Sequence, residues 1–259
     1  MTSMAREVLG WLRSWLYGPR VHRDMGSALG LRHDGGAVFR RTALFAAALA
    51  CFVLPFMTAS MTDAHAAPGG PIKLVALGDS LTAGYRLPAD AAFPTVLERL
   101  LKAKGADVTV SNAGVSGDTA TGGLDRVDWS VPDGTAGVIV ELGANDMLRG
   151  TDPKVTEGAL SAIIERLKAR GIPVLLAGMQ AAPNLGPDYK ARFDAIYPAL
   201  AKRYGLTLYP FFLDGIIGDR AQHLDDMLHP NRQGVETIAA RMLPTVERFV
   251  DGLRQGATR

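Results

Sequence analysis

Cysteine is almost missing from this chain: Cys51 is the single one in 259 residues. One thiol makes no intramolecular disulfide and no Cys-rich zinc site, so any metal would fall to histidines and carboxylates. Histidine is scarce as well. Of five, only His223 and His229 lie beyond residue 66, too few for a three-histidine zinc site. Charge of one sign is lacking too. The 28 Lys and Arg face 26 Asp and Glu for a net charge of +2, and no long basic run is present. A nucleic-acid partner, which needs cations arrayed along phosphates, is therefore not expected. Motifs of several enzyme classes are absent: no Gly-x-Ser-x-Gly elbow, no Gly-x-x-x-x-Gly-Lys-Ser/Thr phosphate loop, no Gly-x-Gly-x-x-Gly fingerprint and no His-Glu-x-x-His pair. What is abundant is apolar surface to bury. With 47% hydrophobic and 21% charged residues, the chain reads as globular, with one or two domains and not mainly disordered.

The first quarter reads as an address. Arg40 and Arg41 precede an apolar stretch from Ala43 to Met57 and then a small, polar segment from Thr58 to Ala67 that contains Ala64, His65 and Ala66. A positive end, an apolar centre and a small-x-small site form a secretory signal. The centre has about 15 residues, short of the roughly 20 needed to span a membrane, and Pro55 interrupts it. Residues 40–66 are thus expected to be a signal peptide cleaved near Ala66, rather than a retained anchor. Cys51 after Leu49 and Ala50 suggests a lipoprotein site, but the apolar run continues past it to Met57. Residues 1–39 are a leader of uncertain status. Leu9, Leu12, Trp15 and Leu16 have the spacing of an amphipathic surface helix, and initiation nearer Met25 is the simpler reading. Removing 1–66 leaves 21 positive against 22 negative residues.

From Ile72 the pattern changes. β-Branched apolar runs at Ile72–Leu77, Val108–Asn112, Val138–Leu142, Val174–Ala177 and Leu206–Tyr209 alternate with amphipathic stretches. The stretches run Phe93–Lys104, Thr119–Val127, Thr156–Arg170, Tyr189–Tyr204 and Arg232–Leu253. Five apolar strands separated by helices predict an α/β fold with a parallel sheet covered on both faces, one domain over residues 67–259. Ligands of open parallel sheets bind beyond the carboxyl ends of the strands. Three polar, glycine-bearing segments fall there: Gly78-Asp79-Ser80, Asn112 to Thr119, and Gly143-Ala144-Asn145-Asp146.

Ser80 follows a buried strand, with Gly78 expected to give the backbone freedom for a tight turn. Taken alone, Asp79 or Ser80 would more simply cap a helical turn. A serine nucleophile also needs a base and a group that fixes the base's tautomer. Asp226 and His229, three apart, would share one face of a helical turn, with Asp225 the alternative orienter. Asn231 is placed to cap the last helix, while His223 reads as an ordinary histidine. Acyl transfer further requires donors for a developing oxyanion. The Gly117 N–H near a helix start and the Asn145 amide are candidates, although an Asn-Asp pair is more often a plain turn.

These residues fall in four ordered blocks: Gly78-Asp79-Ser80-Leu81-Thr82-Ala83-Gly84-Tyr85, Asn112-Ala113-Gly114-Val115-Ser116-Gly117-Asp118-Thr119, Gly143-Ala144-Asn145-Asp146, and Asp226-Met227-Leu228-His229-Pro230-Asn231. Together they resemble the SGNH (GDSL) hydrolases, most closely the branch of acyl-CoA thioesterase I, lysophospholipase and arylesterase. The similarity runs through Ala195 to Gly205 and covers nearly all of Ile72 to about Leu243. The resemblance implies a flavodoxin-like three-layer α/β/α sandwich. It implies Ser80 as nucleophile, His229 as base and Asp226 as its orienter. The oxyanion hole would be formed by the Ser80 and Gly117 N–H groups and the Asn145 side chain, with no metal and no cofactor. Leu148, Pro183 and Leu185, in the loops where this branch forms its acyl pocket, are candidate substrate-binding residues. The leader before Arg40 departs from the family pattern. The expected activity is hydrolysis of small-molecule carboxylic esters or thioesters, lysophospholipids among them, by a periplasmic or secreted enzyme with no membrane span after cleavage. The alternatives are a carbohydrate O-acetyl esterase, for which Trp129 is the only tryptophan left beyond residue 66, and an inactive exported binding protein.

Overall fold

The computed structural model describes residues 70–257. The expectations for residues 1–39 and 40–66, Cys51 included, lie outside the described residues. Five strands form one sheet: β1 (Ile72–Gly78), β2 (Val108–Gly114), β3 (Gly137–Glu141), β4 (Val174–Ala177) and β5 (Thr207–Tyr209). All pairings are parallel, in the order β2-β1-β3-β4-β5. The strands are runs of buried residues, Leu74–Leu77, Val138–Val140 and Val174–Ala177 among them. Such uninterrupted burial is what a sheet covered on both faces demands.

The longer helices are α2 (Phe93–Ala103), α3 (Ala120–Ser130), α5 (Pro153–Ala169), α6 (Pro187–Asp194), α7 (Ile196–Tyr204) and α8 (Arg232–Ala257). Two short ones, α1 (Ser80–Ala83) and α4 (Ala144–Leu148), follow β1 and β3 directly. The pair α2 and α8 packs together, as do α3 with α5 and α5 with α7, so helices cover both faces of the sheet in a three-layer α/β/α sandwich. The expected helix over Tyr189–Tyr204 is two helices joined at Ala195. Pro198 has no N–H for the carbonyl of Asp194 and its ring crowds that position, so the first helix ends there.

Register fixes where chemistry gathers. Gly78 at the end of β1 lies opposite both Gly114 of β2 and Glu141 of β3. The three polar segments therefore leave the sheet at one edge, on adjacent strands. The chain crosses from β1 to β2 on one side and later enters β3 on the other side of β1. This reversal leaves a crevice at that edge.

Arg126 of α3 ties this edge together from below. Its side chain is almost fully buried; Nη2 donates to Gly78 O at 2.8 Å, Nη1 to Ala113 O at 2.8 Å, and Nε to Asp118 at 2.6 Å. Arg126→Met is expected to lower unfolding stability by about 3 kcal/mol, because Asp118 and the Ala113 carbonyl lose the guanidinium and Gly78 O is left with Val115 N alone. Urea denaturation measures it, and a change below about 1 kcal/mol would mean that water replaces the guanidinium at no cost.

Candidate active site

Ser80 stands at the first position of α1, immediately after the sheet edge. Asp79 caps that turn, its Oδ1 accepting from Leu81 N at 2.9 Å. The capping role and an available serine hydroxyl thus coexist, one on each of two neighbouring residues. The role expected of Gly78 needs correction. It does not adopt a positive φ; glycine is required because a Cβ there would lie 2.1 Å from Thr82 Oγ1 and 2.7 Å from Glu141 O. Close approach of α1 to the sheet, not turn geometry, selects it.

His229 Nε2 lies 2.9 Å from Ser80 Oγ, and His229 Nδ1 lies 2.8 Å from Asp226 Oδ2. The helical turn expected for Asp226 and His229 is absent. Residues 224–229 form an irregular turn, closed by Leu224 N donating to His229 O at 2.8 Å and by a bridge between His223 and Pro230. Met227 takes the left-handed conformation with φ 59°, which lets Asp226 Oδ1 accept from both Leu228 N and His229 N at 3.0 Å. The carboxylate thereby shapes the loop that presents its own histidine. Asp225 is exposed, and the carboxylate on His229 is that of Asp226.

Burial pushes the Asp226 carboxyl up, but the N–H groups of His229 and Leu228 and the His229 ring outweigh it and hold the group at about 2. Asp226 is thus an acceptor throughout the neutral range, and Nδ1 carries the ring proton in neutral His229. Nε2 is then left as the acceptor facing Ser80. Asn231 anchors the loop: Gly234 N donates to its Oδ1 at 3.0 Å, capping α8, and its Nδ2 donates to Ala221 O and His223 O. The Tyr85 ring lies over His229 with centroids 4.4 Å apart, and Arg86 stands 5.3 Å from the Tyr85 centroid.

Gly117, with φ 87°, sits in a turn closed by Asp118 N donating to Val115 O at 3.1 Å. Its carbonyl accepts from Arg149 Nη2 at 2.8 Å. The Asn145 amide donates to Asp79 Oδ2 at 3.0 Å. Asp146 beside it is buried and occupied by Ala120 N and Thr156 Oγ1, so the two residues of this pair divide a site-edge and a structural task.

Of the residues expected to bind substrate, Leu148 is 52% exposed at the end of α4, the short helix that carries Asn145. Leu185 is half-buried against the core, and Pro183 opens an exposed 3-10 turn. Trp129 is exposed near the far end of α3. Ten residues past the Thr119 cap puts it about 15 Å from the site edge, a poor place for a sugar platform. Among the described residues no His, Cys, Asp or Glu cluster is arranged to hold a metal ion, and no helix is long and apolar enough to cross a membrane.

Sequence reasoning did not find Arg126, Arg149, Thr82 or Glu141. Glu141 left a signal: a carboxylate at the end of an otherwise apolar parallel strand, where a charge has no solvent to face.

An α/β sandwich with a serine, a histidine and a carboxylate in line at its strand ends is the framework of an ester-bond hydrolase. The chain belongs to the GDSL-like lipase/acylhydrolase family, whose sequence profile matches residues 76–236. It is similar to an arylesterase of Vibrio mimicus, with 42% identity over 171 residues, 64% of this chain and 84% of the relative. It is 38% identical over 199 residues to thioesterase 1/protease 1/lysophospholipase L1 of Escherichia coli strain K12, covering 76% and 93% of the two chains. Among solved structures, the SGNH-hydrolase family esterase AlinE4 superposes with a TM-score of 0.60 at 42% identity, over 70% of this chain and 98% of that one.

Proposed function

We propose that the protein is an exported serine esterase that hydrolyses carboxylic esters or thioesters through an acyl-enzyme. The observation that carries this reading is the aligned set Ser80 Oγ, His229 Nε2 and Asp226, at 2.9 and 2.8 Å. Ser80 attacks the substrate carbonyl while His229 Nε2 takes the hydroxyl proton, and Asp226 holds the ring and stabilises the imidazolium. His229 then gives that proton to the leaving alcohol or thiol. Water enters, loses a proton to His229, and deacylates Ser80. The N–H groups of Ser80 and Gly117, neither with a partner among the described residues, and the Asn145 amide receive the oxyanion.

Aryl esters, lysophospholipids and thioesters are the substrate classes supported by the relatives' names, and short acyl esters are proposed beside them. Leu148, with Pro183 and Leu185, is proposed for the acyl side. Export rests on the sequence of residues 40–66, and it disfavours intracellular acyl-CoA as the sole substrate. The test is intact-mass spectrometry of the exported protein before and after a fluorophosphonate probe. One adduct at Ser80 and an N-terminus at Ala67 are expected; well-folded protein that takes up no probe overturns the reading. Asn145→Ala is expected to lower kcat by about 10² to 10³, the loss for one oxyanion donor, in steady-state assays with an aryl ester.

A further inference from the structure

Beneath Ser80 lie two carboxyls that the mechanism above does not use. Asp79 is fully buried and Glu141 is 1% exposed, on adjacent strand ends. Both oxygens of Asp79 are satisfied, Oδ1 by Leu81 N at 2.9 Å and Oδ2 by the Asn145 amide at 3.0 Å. Glu141 is not so provided. Its Oε2 accepts from Thr82 Oγ1 at 2.7 Å, while Oε1 is buried with no hydrogen-bond partner. An ionised Glu141 would leave charge on an unsolvated oxygen, which is costly. An ionised Asp79 would not.

We propose that Asp79 and Glu141 share one proton, kept on Glu141, and that ionised Asp79 is a positioning residue whose Oδ2 fixes the Asn145 amide toward the oxyanion. This rests on the reading of Asn145 as an oxyanion donor. Two neighbouring buried acids cannot both ionise cheaply, so the second proton is retained.

The surrounding charges favour retention. Asp146 of α4 and Asp118 of the β2–α3 loop both oppose ionisation of Asp79 and so keep one proton on the pair; that the proton sits on Glu141 rests on the Leu81 N–H and the Asn145 amide at Asp79 and on the unpartnered Glu141 Oε1. The buried Tyr197 of α7 stands near both acids, but its hydroxyl donates to Leu142 O. Arg126 of α3 reaches Gly78 O and Asp118 rather than either acid. On the fourth side, His229 engages Ser80 and Asp226. Burial pushes the Asp79 carboxyl up to about 7, against the pull of Leu81 N and the Asn145 amide. Burial also pushes Glu141 well above the carboxylate range, helped by the charge of Asp79 and against the pull of the Thr82 hydroxyl and the N–H groups of Asp79 and Thr82.

Glu141→Gln and Asp79→Asn separate the roles. A glutamine copies a protonated glutamate, so kcat at neutral pH is expected to stay within about threefold of wild type. An asparagine at 79 offers one acceptor where two N–H donors point, so kcat is expected to fall by roughly 10² with KM little changed. The proton itself is read from stability. Glu141 protonated in the fold but ionised in the unfolded chain makes wild-type stability fall as pH rises above 4.5. The Tm of Glu141→Gln is therefore expected to climb relative to wild type from about pH 5 to about pH 8. A Tm difference flat over that interval overturns the proton assignment, and it is measured without touching Asp79 or its cap. A folded Asp79→Asn with wild-type kcat overturns the positioning role. Full turnover by a folded Asn145→Ala would remove the oxyanion reading beneath that role, while the Tm series still reports on the acid pair.

Discussion

Ser80→Ala is expected to reduce kcat by roughly 10⁶, the scale on which loss of a serine nucleophile abolishes acyl-enzyme catalysis. The change removes one hydroxyl whose single side-chain partner among the described residues is His229 Nε2. Asp79 still caps α1, because the cap uses the Asp79 side chain and Leu81 N. Thermal unfolding should therefore be close to wild type, and the two measurements together separate chemistry from folding. Turnover within tenfold of wild type by a folded Ser80→Ala would sink the nucleophile assignment.

Asp226→Asn is expected to cost about 10⁴ in kcat, through the tautomer of its neighbour. At Asp226, Oδ1 faces two backbone N–H groups and Oδ2 faces His229 Nδ1. An asparagine must turn its oxygen to the paired N–H groups, which places its NH₂ against Nδ1. Nδ1 then becomes the acceptor, the proton moves to Nε2, and Nε2–H points at Ser80 with no lone pair to take a proton. Asp226→Ala should lose activity by a different route, since the turn itself loses two bonds. Steady-state kinetics of both, with protein NMR of the imidazole nitrogens, would distinguish them. Retention of the wild-type tautomer in Asp226→Asn would contradict the argument. Because the Asp226 carboxyl is held at about 2, its contribution to stability is present above the ordinary carboxylate range. It is lost only as pH falls toward that value. The acid limb of activity is therefore not set by Asp226.

The strand positions were legible because a doubly covered sheet writes itself as apolar runs, and β4 matches at both ends. Boundaries moved where the backbone continued past the apolar pattern, as at Ala113 and Gly114, which pair with Leu77 and Gly78. The polar residues of the site edge were legible from chain position alone, each just after a strand. The conformation of the Asp226 loop was not, since spacing of three suits a helix and this turn equally, and the left-handed Met227 carries no glycine to announce it. The buried support under the site was the least legible part. Arg126 reads in sequence as a charged position on a helix, and only the converging carbonyls of Gly78 and Ala113 explain its burial.

The division of the site along the chain has a consequence for biosynthesis. Ser80 and His229 are 149 residues apart, and Asp226 and His229 immediately precede α8, the last element of the described chain. A growing chain releases the serine and both loops beside it long before it releases the histidine. Until Asn231 caps α8 and that helix seats against α2, nothing holds the His229 ring against Ser80 Oγ. On the mechanism proposed above, the seating of α8 is therefore the step that arms the site.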